Sequence, residues 1–265
     1  MDTVIVIPCY NESDRLDVSA FEIYLDGQQT VHFIFVNDGS TDRTWDTIER
    51  IRRAFPEKVM CLNFEKNSGK AEAVRAGVLA AIAAGYDKIG YWDADLATPL
   101  TSIDEMSEKL NHTDYAMVLG SRVKLLGHEI HRKAVRHYVS RFFATGASMV
   151  INLPVYDTQC GAKLFRNNAD FRLAFQEPFN VRWSFDVELL GRLELIRKST
   201  FKRSLAFDAF EYPLPRWVHV KGSKVKLKDF LVGSYELAKI LFLLRAPFIK
   251  VWYKNQILSP CPTMA

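Results

Sequence analysis

Four short apolar runs recur through the first third of the chain: residues 4–8 (VIVIP), 31–36 (VHFIFV), 58–64 (KVMCLNF) and 88–92 (KIGYW). Each has strand length, and helical patterns lie between them near 13–27, 42–54 and 69–84. The third helical stretch is the clearest, because Lys70 to Ala84 is rich in alanine and Gly85 stands where a helix stops. A further helix near 102–111 opens with Ser102 and Glu105 at capping-box spacing. Strand and helix in alternation predict βαβ units, hence an α/β fold whose mostly parallel sheet is flanked by helices.

After Gly120 the pattern changes. Residues 132–151 carry Val135, Tyr138, Phe142, Gly146 and Met149 at helical spacing, with Arg132, Lys133, Arg136 and Arg141 interleaved. This predicts a basic amphipathic helix. Another helix is expected over 185–195, followed by an apolar alternating stretch at 205–212. The tail at 227–258 is the most apolar part of the chain, yet Lys239, Arg245 and Pro247 interrupt it. No unbroken apolar span of about 20 residues remains, so one or two helices lying on an apolar surface are expected rather than a transmembrane span. There is no internal repeat and no low-complexity linker.

Composition narrows the class. With 265 residues, 48% of them hydrophobic, the chain has enough apolar side chains for a substantial core, and disorder is excluded. A net charge of +4 is too mild for a nucleic-acid stripe. Two local basic runs stand out: Arg122 to Arg141, and Lys221, Lys224, Lys226 and Lys228. Such runs on a nearly balanced protein fit phosphate groups or an anionic surface. The dispersed cysteines (Cys9, Cys61, Cys160, Cys261) form no CxxC pair and read as free thiols of a reducing compartment. No signal peptide precedes the first strand, which predicts a cytoplasmic or cytosol-facing protein. The histidines show no metal-ligand spacing.

The first strand ends in Pro8-Cys9-Tyr10-Asn11-Glu12 and the second in Asn37-Asp38-Gly39-Ser40-Thr41-Asp42. In open parallel sheets ligands bind outside the carboxyl ends of strands, so these polar clusters are candidate site elements. Asp38 has two readings: a carboxylate for a base edge or ribose, or a cap on the following helix. The fourth strand ends in Trp92-Asp93-Ala94-Asp95. In extended backbone, residues two apart point to the same side, so Asp93 and Asp95 can converge on one ligand. Two such acids raise each other's pKa unless a cation lies between them. Mg2+ and Mn2+ bind through one or two carboxylates plus substrate phosphates. A metal so placed stabilises the charge on a departing diphosphate.

Together, VIPCYNE, VNDGSTD, NSGKAEAVRAG, WDADL and the GSR at 120–122 follow the order seen in inverting nucleotide-sugar glycosyltransferases of the GT-A fold, a family the chain resembles. DTQCGAKLF (157–165), RWSFDVELL (182–190) and KGSK (221–224) resemble the dolichyl-phosphate β-glucosyltransferase branch more specifically. The likeness covers about residues 3–225. It implies a nucleoside-diphosphate sugar donor, favouring UDP-glucose, a polyprenyl-phosphate acceptor, and inversion with Mg2+ or Mn2+. By the same match Pro8, Tyr10, Glu12 and Asp38 fall at nucleotide positions, and Asp93 and Asp95 at ribose, diphosphate and metal positions. Asp186 corresponds to the base, with Asp157 as second candidate. Membrane anchors like those of such relatives are not expected from this sequence, and Ala97 stands where mannose-transferring enzymes often carry glutamine.

A phosphate monoester acceptor has a second pKa of about 6 and is largely dianionic at neutral pH. It needs positioning more than deprotonation, so Asp186 is expected to act as base or orienting group. Anionic donor and acceptor require further cations: Arg122, Lys163 and Lys224 for the acceptor phosphate, and Lys70 with Arg75 for the diphosphate. Trp183 and Phe185 read as packing residues. The expected organisation is a GT-A domain at 1–225, with a donor half at 1–96 and an acceptor half at 97–225. A helical region at 226–265 is left for membrane or oligomer contact. The amphipathic 132–151 helix and the tail point to peripheral attachment at the cytosolic face of a membrane. The alternatives are a soluble glycosyltransferase acting on a glycan or small molecule, and a nucleotide-sugar-binding protein without turnover.

Overall fold

The computed structural model describes residues 1–131, 134–218 and 227–258. The described elements run β1 (Thr3–Cys9), α1 (Val18–Asp26), β2 (Val31–Asn37), α2 (Thr44–Ala54), β3 (Val59–Asn63), α3 (Lys70–Ala83), β4 (Lys88–Trp92) and α4 (Ser102–Asn111). They continue with β5 (Met117–Ser121), β6 (Glu129–His131), α5 (Ala134–Ile151), β7 (Ala162–Arg166), α6 (Ala169–Gln176) and α7 (Phe185–Ser199). A 3-10 turn (Leu205–Phe207), β8 (Ala209–Pro213), β9 (Arg216–Val218), α8 (Leu227–Arg245) and α9 (Pro247–Leu258) complete them. The seven-stranded sheet has the order β3-β2-β1-β4-β7-β5-β8, and β6 pairs with β9 in a small second sheet.

The four apolar runs are the strands β1 to β4, mutually parallel; β1, β2 and β4 are buried on both faces, whereas β3 is the sheet edge with only Val59 buried. Val4 and Val6 enter one core layer while Ile5 and Ile7 enter the other. That explains their nearly continuous hydrophobicity. The chain order reverses direction between β1 and β4, which opens a crevice at their carboxyl ends. β5 and β7 went unmarked in the sequence pattern. β7 is antiparallel to both neighbours, pairing Tyr91 with Lys163 across β4. It is short and carries Lys163 and Arg166, so no apolar run marks it.

Several boundaries differ from the sequence pattern for local reasons. Residues 13–17 form a turn, and α1 starts only after Asp17 caps it by accepting from the Ala20 N–H at 3.0 Å. Before α2 the N-cap position is Arg43, without a side-chain bond, and Asp42 one residue earlier accepts from the Thr44 N–H at 3.0 Å. Ser102 is not a cap: it is already helical, makes no capping bond, and its hydroxyl is buried without a partner among the described residues. Gly85 does end α3, adopting the left-handed conformation at φ +80°. The 205–212 stretch splits into the 3-10 turn and edge strand β8.

α5 occupies most of the expected 132–151 helix, although Arg132 and Lys133 lie outside the described residues and so does the KGSK segment with Lys224. The apolar tail forms α8 and α9, which pack against α5, α6 and α7. Among the described residues no helix is long and apolar enough to cross a membrane. Cys9, Cys61 and Cys160 are free thiols, and burial pushes Cys160 up to about 11 and Cys61 up to about 12.

α3 lies directly on the sheet at Gly77, where an added Cβ would stand 2.4 Å from Val6 Cγ1. In an exposed helix interior alanine is favoured over glycine by about 1 kcal/mol. At this contact overpacking reverses the sign. Gly77→Ala is expected to destabilise the protein by about 1–3 kcal/mol, read from the urea midpoint. An unchanged or higher midpoint would show that the helix–sheet contact yields freely.

Candidate active site

Most sequence-marked residues gather at the carboxyl edge of β1, β2 and β4, with Arg122 following β5 and α3 and α7 pointing their N-termini toward it. β4 ends at Trp92, and Asp93 to Leu96 form a turn in which Leu96 takes φ +49°. Asp93 and Asp95 are therefore neighbours through a turn rather than through extended backbone. Asp93 Oδ1 accepts from Lys70 Nζ at 2.5 Å, with both side chains open to solvent. Gly161 lies against the Asp93 carboxylate so closely that a Cβ would stand 1.9 Å from Oδ2. Its carbonyl accepts the Asp93 N–H at 3.0 Å. The glycine in the CGAK sequence thus has a steric reason.

The two acids differ electrostatically. Lost hydration opposes ionisation of Asp93, but Lys70, Arg122 and Lys163 outweigh it and hold the carboxyl below its ordinary value. Asp95 is pushed up, first by burial and then by the charge of Asp93. Its Oδ1 accepts from the Ala97 N–H at 3.2 Å, while Arg15 Nη1 stands 3.7 Å from Oδ2. Arg15 is mainly bound to Glu12, at 2.7 Å to Oε2 and 2.6 Å to Oε1. This leaves Asp95 under-compensated beside a second acid. The described residues hold no cluster of three or more His, Cys, Asp or Glu side chains fit for a metal. The donor set suits a hard divalent cation that takes its other ligands from a phosphate-bearing substrate.

Asp186, at the start of α7, is buried beneath the same edge. Tyr91 Oη donates to its Oδ1 at 2.6 Å and Lys163 Nζ donates to the same atom at 2.5 Å. Burial and then Asp186 keep the Tyr91 phenol protonated far above its ordinary range. Lys163 is fully buried and also donates to the Cys160 carbonyl at 2.5 Å. It therefore cannot meet an acceptor phosphate as the sequence reading expected. Its charge is committed to Asp186. Asp157 and Arg122 form a bidentate pair at 2.6 and 2.7 Å, with Arg122 standing over the Trp217 ring. The backbone N–H groups of Tyr156 and Asp157 both donate to Glu211, which fixes the acid of that pair.

Asp38 does not cap α2. Its carboxylate faces the loop before α3, accepting from the Ser68 N–H at 2.6 Å, the Gly69 N–H at 2.9 Å and Asn67 Nδ2 at 3.0 Å. It thereby ties the end of β2 to the N-terminus that carries Lys70. Gly69 needs its φ of +95°, and a Cβ there would stand 3.0 Å from the Arg182 guanidinium. Tyr10 lies exposed at the rim, and Glu12 is buried. Arg75 is turned aside to Glu72 and the Gln176 carbonyl. The sequence reading missed Arg15, Tyr91 and Arg182 as site residues. Arg182 sat inside the quoted RWSFDVELL motif and Tyr91 in the apolar run just before WDADL, whereas nothing in the local pattern marks Arg15.

Comparison with known proteins agrees with this architecture. Residues 4–172 match the model of the glycosyl transferase family 2. A dolichyl-phosphate beta-glucosyltransferase of Trichomonas vaginalis, ALG5C, is 32% identical over 260 residues, spanning 92% of this chain and 72% of that one. The dolichyl-phosphate beta-glucosyltransferase of Homo sapiens is 31% identical over 239 residues, 83% of this chain and 68% of its own. Among solved structures, glucosyl-3-phosphoglycerate synthase from Mycobacterium tuberculosis, in complex with Mn2+, UDP and glucosyl-3-phosphoglycerate, superposes with a TM-score of 0.63. It is 16% identical, with 91% of this chain and 78% of that one covered, and shares the fold.

The buried Lys163–Asp186 pair makes its own test. Lys163→Met leaves Asp186 buried without its cation and is expected to cost about 3–5 kcal/mol. Adding Asp186→Asn should recover at least half of that loss in urea unfolding. Additive losses in the double variant would show that the two side chains do not depend on each other.

Proposed function

The chain belongs to glycosyl transferase family 2, and from that premise we propose that it transfers glucose from UDP-glucose to a polyprenyl phosphate of the dolichyl type, with inversion. The observation that carries this reading is the acid pair Asp93 and Asp95 at the end of β4, with Lys70 Nζ 2.5 Å from Asp93 Oδ1 and Arg15 no nearer than 3.7 Å to Asp95. Kinship above 30% with dolichyl-phosphate beta-glucosyltransferases supports the choice of sugar and acceptor.

Asp93 and Asp95 would hold a divalent cation, Mg2+ or Mn2+, which neutralises the charge gathering on the leaving diphosphate. Lys70 stands beside Asp93 and adds a cation for the same oxygens. Pro8, Tyr10, Glu12 and Asp38 border the nucleotide in this reading. Asp38 acts chiefly by holding the 67–69 loop, and Arg15 keeps Glu12 from facing the donor as a bare charge.

An acceptor phosphate already carries most of its charge at neutral pH. Asp186 therefore serves as base or orienting group, and Lys163 beneath it cancels the charge that would otherwise repel a dianion. Arg122 is assigned to the acceptor phosphate, set in direction by Asp157. Arg182 is an additional candidate: its side chain is exposed beside Gly69, near Asp38. Lys224 is assigned there as well, although it lies outside the described residues.

The outer faces of α5 and α8 are apolar where solvent meets them. Phe142 is 86% exposed, Met149 70%, Leu231 76%, Tyr235 71% and Phe242 58%. Arg141, Lys239 and Arg245 lie among them, a mixture suited to the interface of an anionic bilayer. This face supports a reading in which the protein attaches peripherally to a membrane, on its cytosolic side.

Incubation with UDP-glucose, Mn2+ and a short polyprenyl phosphate is expected to yield a single-hexose adduct by mass analysis. Chelator and Asp95→Ala should each abolish it, and an adduct persisting through both treatments would contradict the metal assignment. Flotation with vesicles containing phosphatidylserine should carry the protein upward at low salt, and Tyr235→Glu with Phe242→Glu should release it. Absence of binding at both low and high salt would remove the interfacial attachment.

A further inference from the structure

Successive backbone N–H groups from Asn180 to Ser184 all donate to carboxylates. Asn180 and Val181 donate to Glu188 Oε2 at 2.8 and 3.0 Å. Arg182 donates to Glu236 Oε1 at 3.0 Å, and Trp183 and Ser184 donate to Glu236 Oε2 at 3.1 and 2.7 Å. Glu188 belongs to the first turn of α7, but Glu236 comes from α8 and is only 7% exposed. α7 supplies no cap of its own, because Ser184 at the N-cap makes no side-chain bond. Of the donors that Glu236 satisfies, Ser184 is the N-cap of α7, and Arg182 and Trp183 belong to the segment leading into it.

α8 grips the same segment in two further ways. Lys239 Nζ donates to the Asn180 carbonyl at 2.7 Å. Gly233 lies under the Trp183 ring, where a Cβ would stand 2.5 Å from Cζ3, so the indole rests on bare backbone. The same ring meets Phe143 edge to face at 5.2 Å. The gripped segment runs straight into Phe185 and Asp186. Among the described residues Glu236 is hydrogen-bonded only to the 182–184 backbone, so its reach to the site passes through that backbone.

We infer that Glu236 is a positioning residue, which fixes the 182–184 backbone so that Asp186 faces the acceptor. The inference rests on the role given to Asp186 above. It also makes α8 a part of the transferase machinery, rather than only a surface helix.

The test uses the full chain with Glu236→Gln, which keeps the shape but loses the charge and one acceptor atom. Gly233→Ala is a second variant that displaces Trp183 while leaving the carboxylate in place. Hydrogen exchange reads the 182–186 amides, calorimetry reads UDP-glucose affinity with Mn2+, and mass analysis reads transfer to a short polyprenyl phosphate. In both variants exchange at 182–186 should speed at least tenfold while β1 and α3 amides stay unchanged. Transfer kcat should fall at least tenfold with donor affinity held within threefold. A merely structural role predicts otherwise: donor affinity and transfer fall together, in step with the folded fraction. That result overturns the inference, and so does unchanged kcat once the amides have opened. If Glu236→Gln does not fold, Gly233→Ala decides by the same readings. A wild type that forms no glucosyl lipid overturns the functional reading, and this inference with it, whereas active wild type with equally active variants overturns the inference alone.

Discussion

Acids crowded at one sheet edge must each be compensated, and much of the architecture around the crevice follows from that requirement. Carboxylates removed from water repel each other and favour neutrality unless cations or N–H donors face them. Here Glu12 has Arg15, Asp93 has Lys70, Asp157 has Arg122 and Asp186 has Lys163. Asp95 is the member left with a remote partner, 3.7 Å from Arg15. The imbalance is local and lies where a substrate-borne cation would remove it. Strand order serves the same end. An antiparallel β7 beside β4 brings Lys163 opposite Tyr91, so one buried ammonium and one phenol converge on a single carboxylate oxygen.

Close approach of backbone to these acids explains the glycines that matter. Gly161 has no side chain because the Asp93 carboxylate fills that space, and Gly69 is bare and left-handed because Asp38 draws its N–H inward. Gly233 performs the same service for the Trp183 ring on the opposite side of α7. Each lies at a contact between a functional side chain and a distant element, where a methyl group would push apart what the hydrogen bonds hold together.

What was legible in the sequence divides along physical lines. Strands β1, β2 and β4 announced themselves because burial on both faces demands unbroken apolar runs, the edge strand β3 kept enough apolar residues to be read, and α3 showed through its alanines and the Gly85 stop. Asp93, Asp95 and Asp38 stood at strand ends and were visible as chemistry. β7 was hidden, since a short strand with two cations has no periodicity to read. Partners were harder still. Nothing near Asp186 in the chain marks Tyr91, which is 95 residues away, or Glu236, 52 residues from the Ser184 N–H it accepts. Lys163 was read as a free cation because the pattern could not reveal that β7 turns it inward.

The apolar tail illustrates how one composition can serve two surfaces. Tyr253 of α9 donates to Glu188 at 2.8 Å and accepts from the fully buried Arg192 at 3.0 Å, while Ile257 is wholly buried. α9 is thus anchored in the protein's core by a polar network whose members are paired, the condition under which buried charge is tolerated. α8 buries Glu236, Ile240 and Leu243 and turns Leu231, Tyr235 and Phe242 outward. Its inward side is therefore committed to α7 and the segment before Asp186, and only the outward stripe is available to anything else. Glu236 and Gly233, which hold the segment before Asp186, lie on the inner face of the same helix whose outer face carries the apolar stripe.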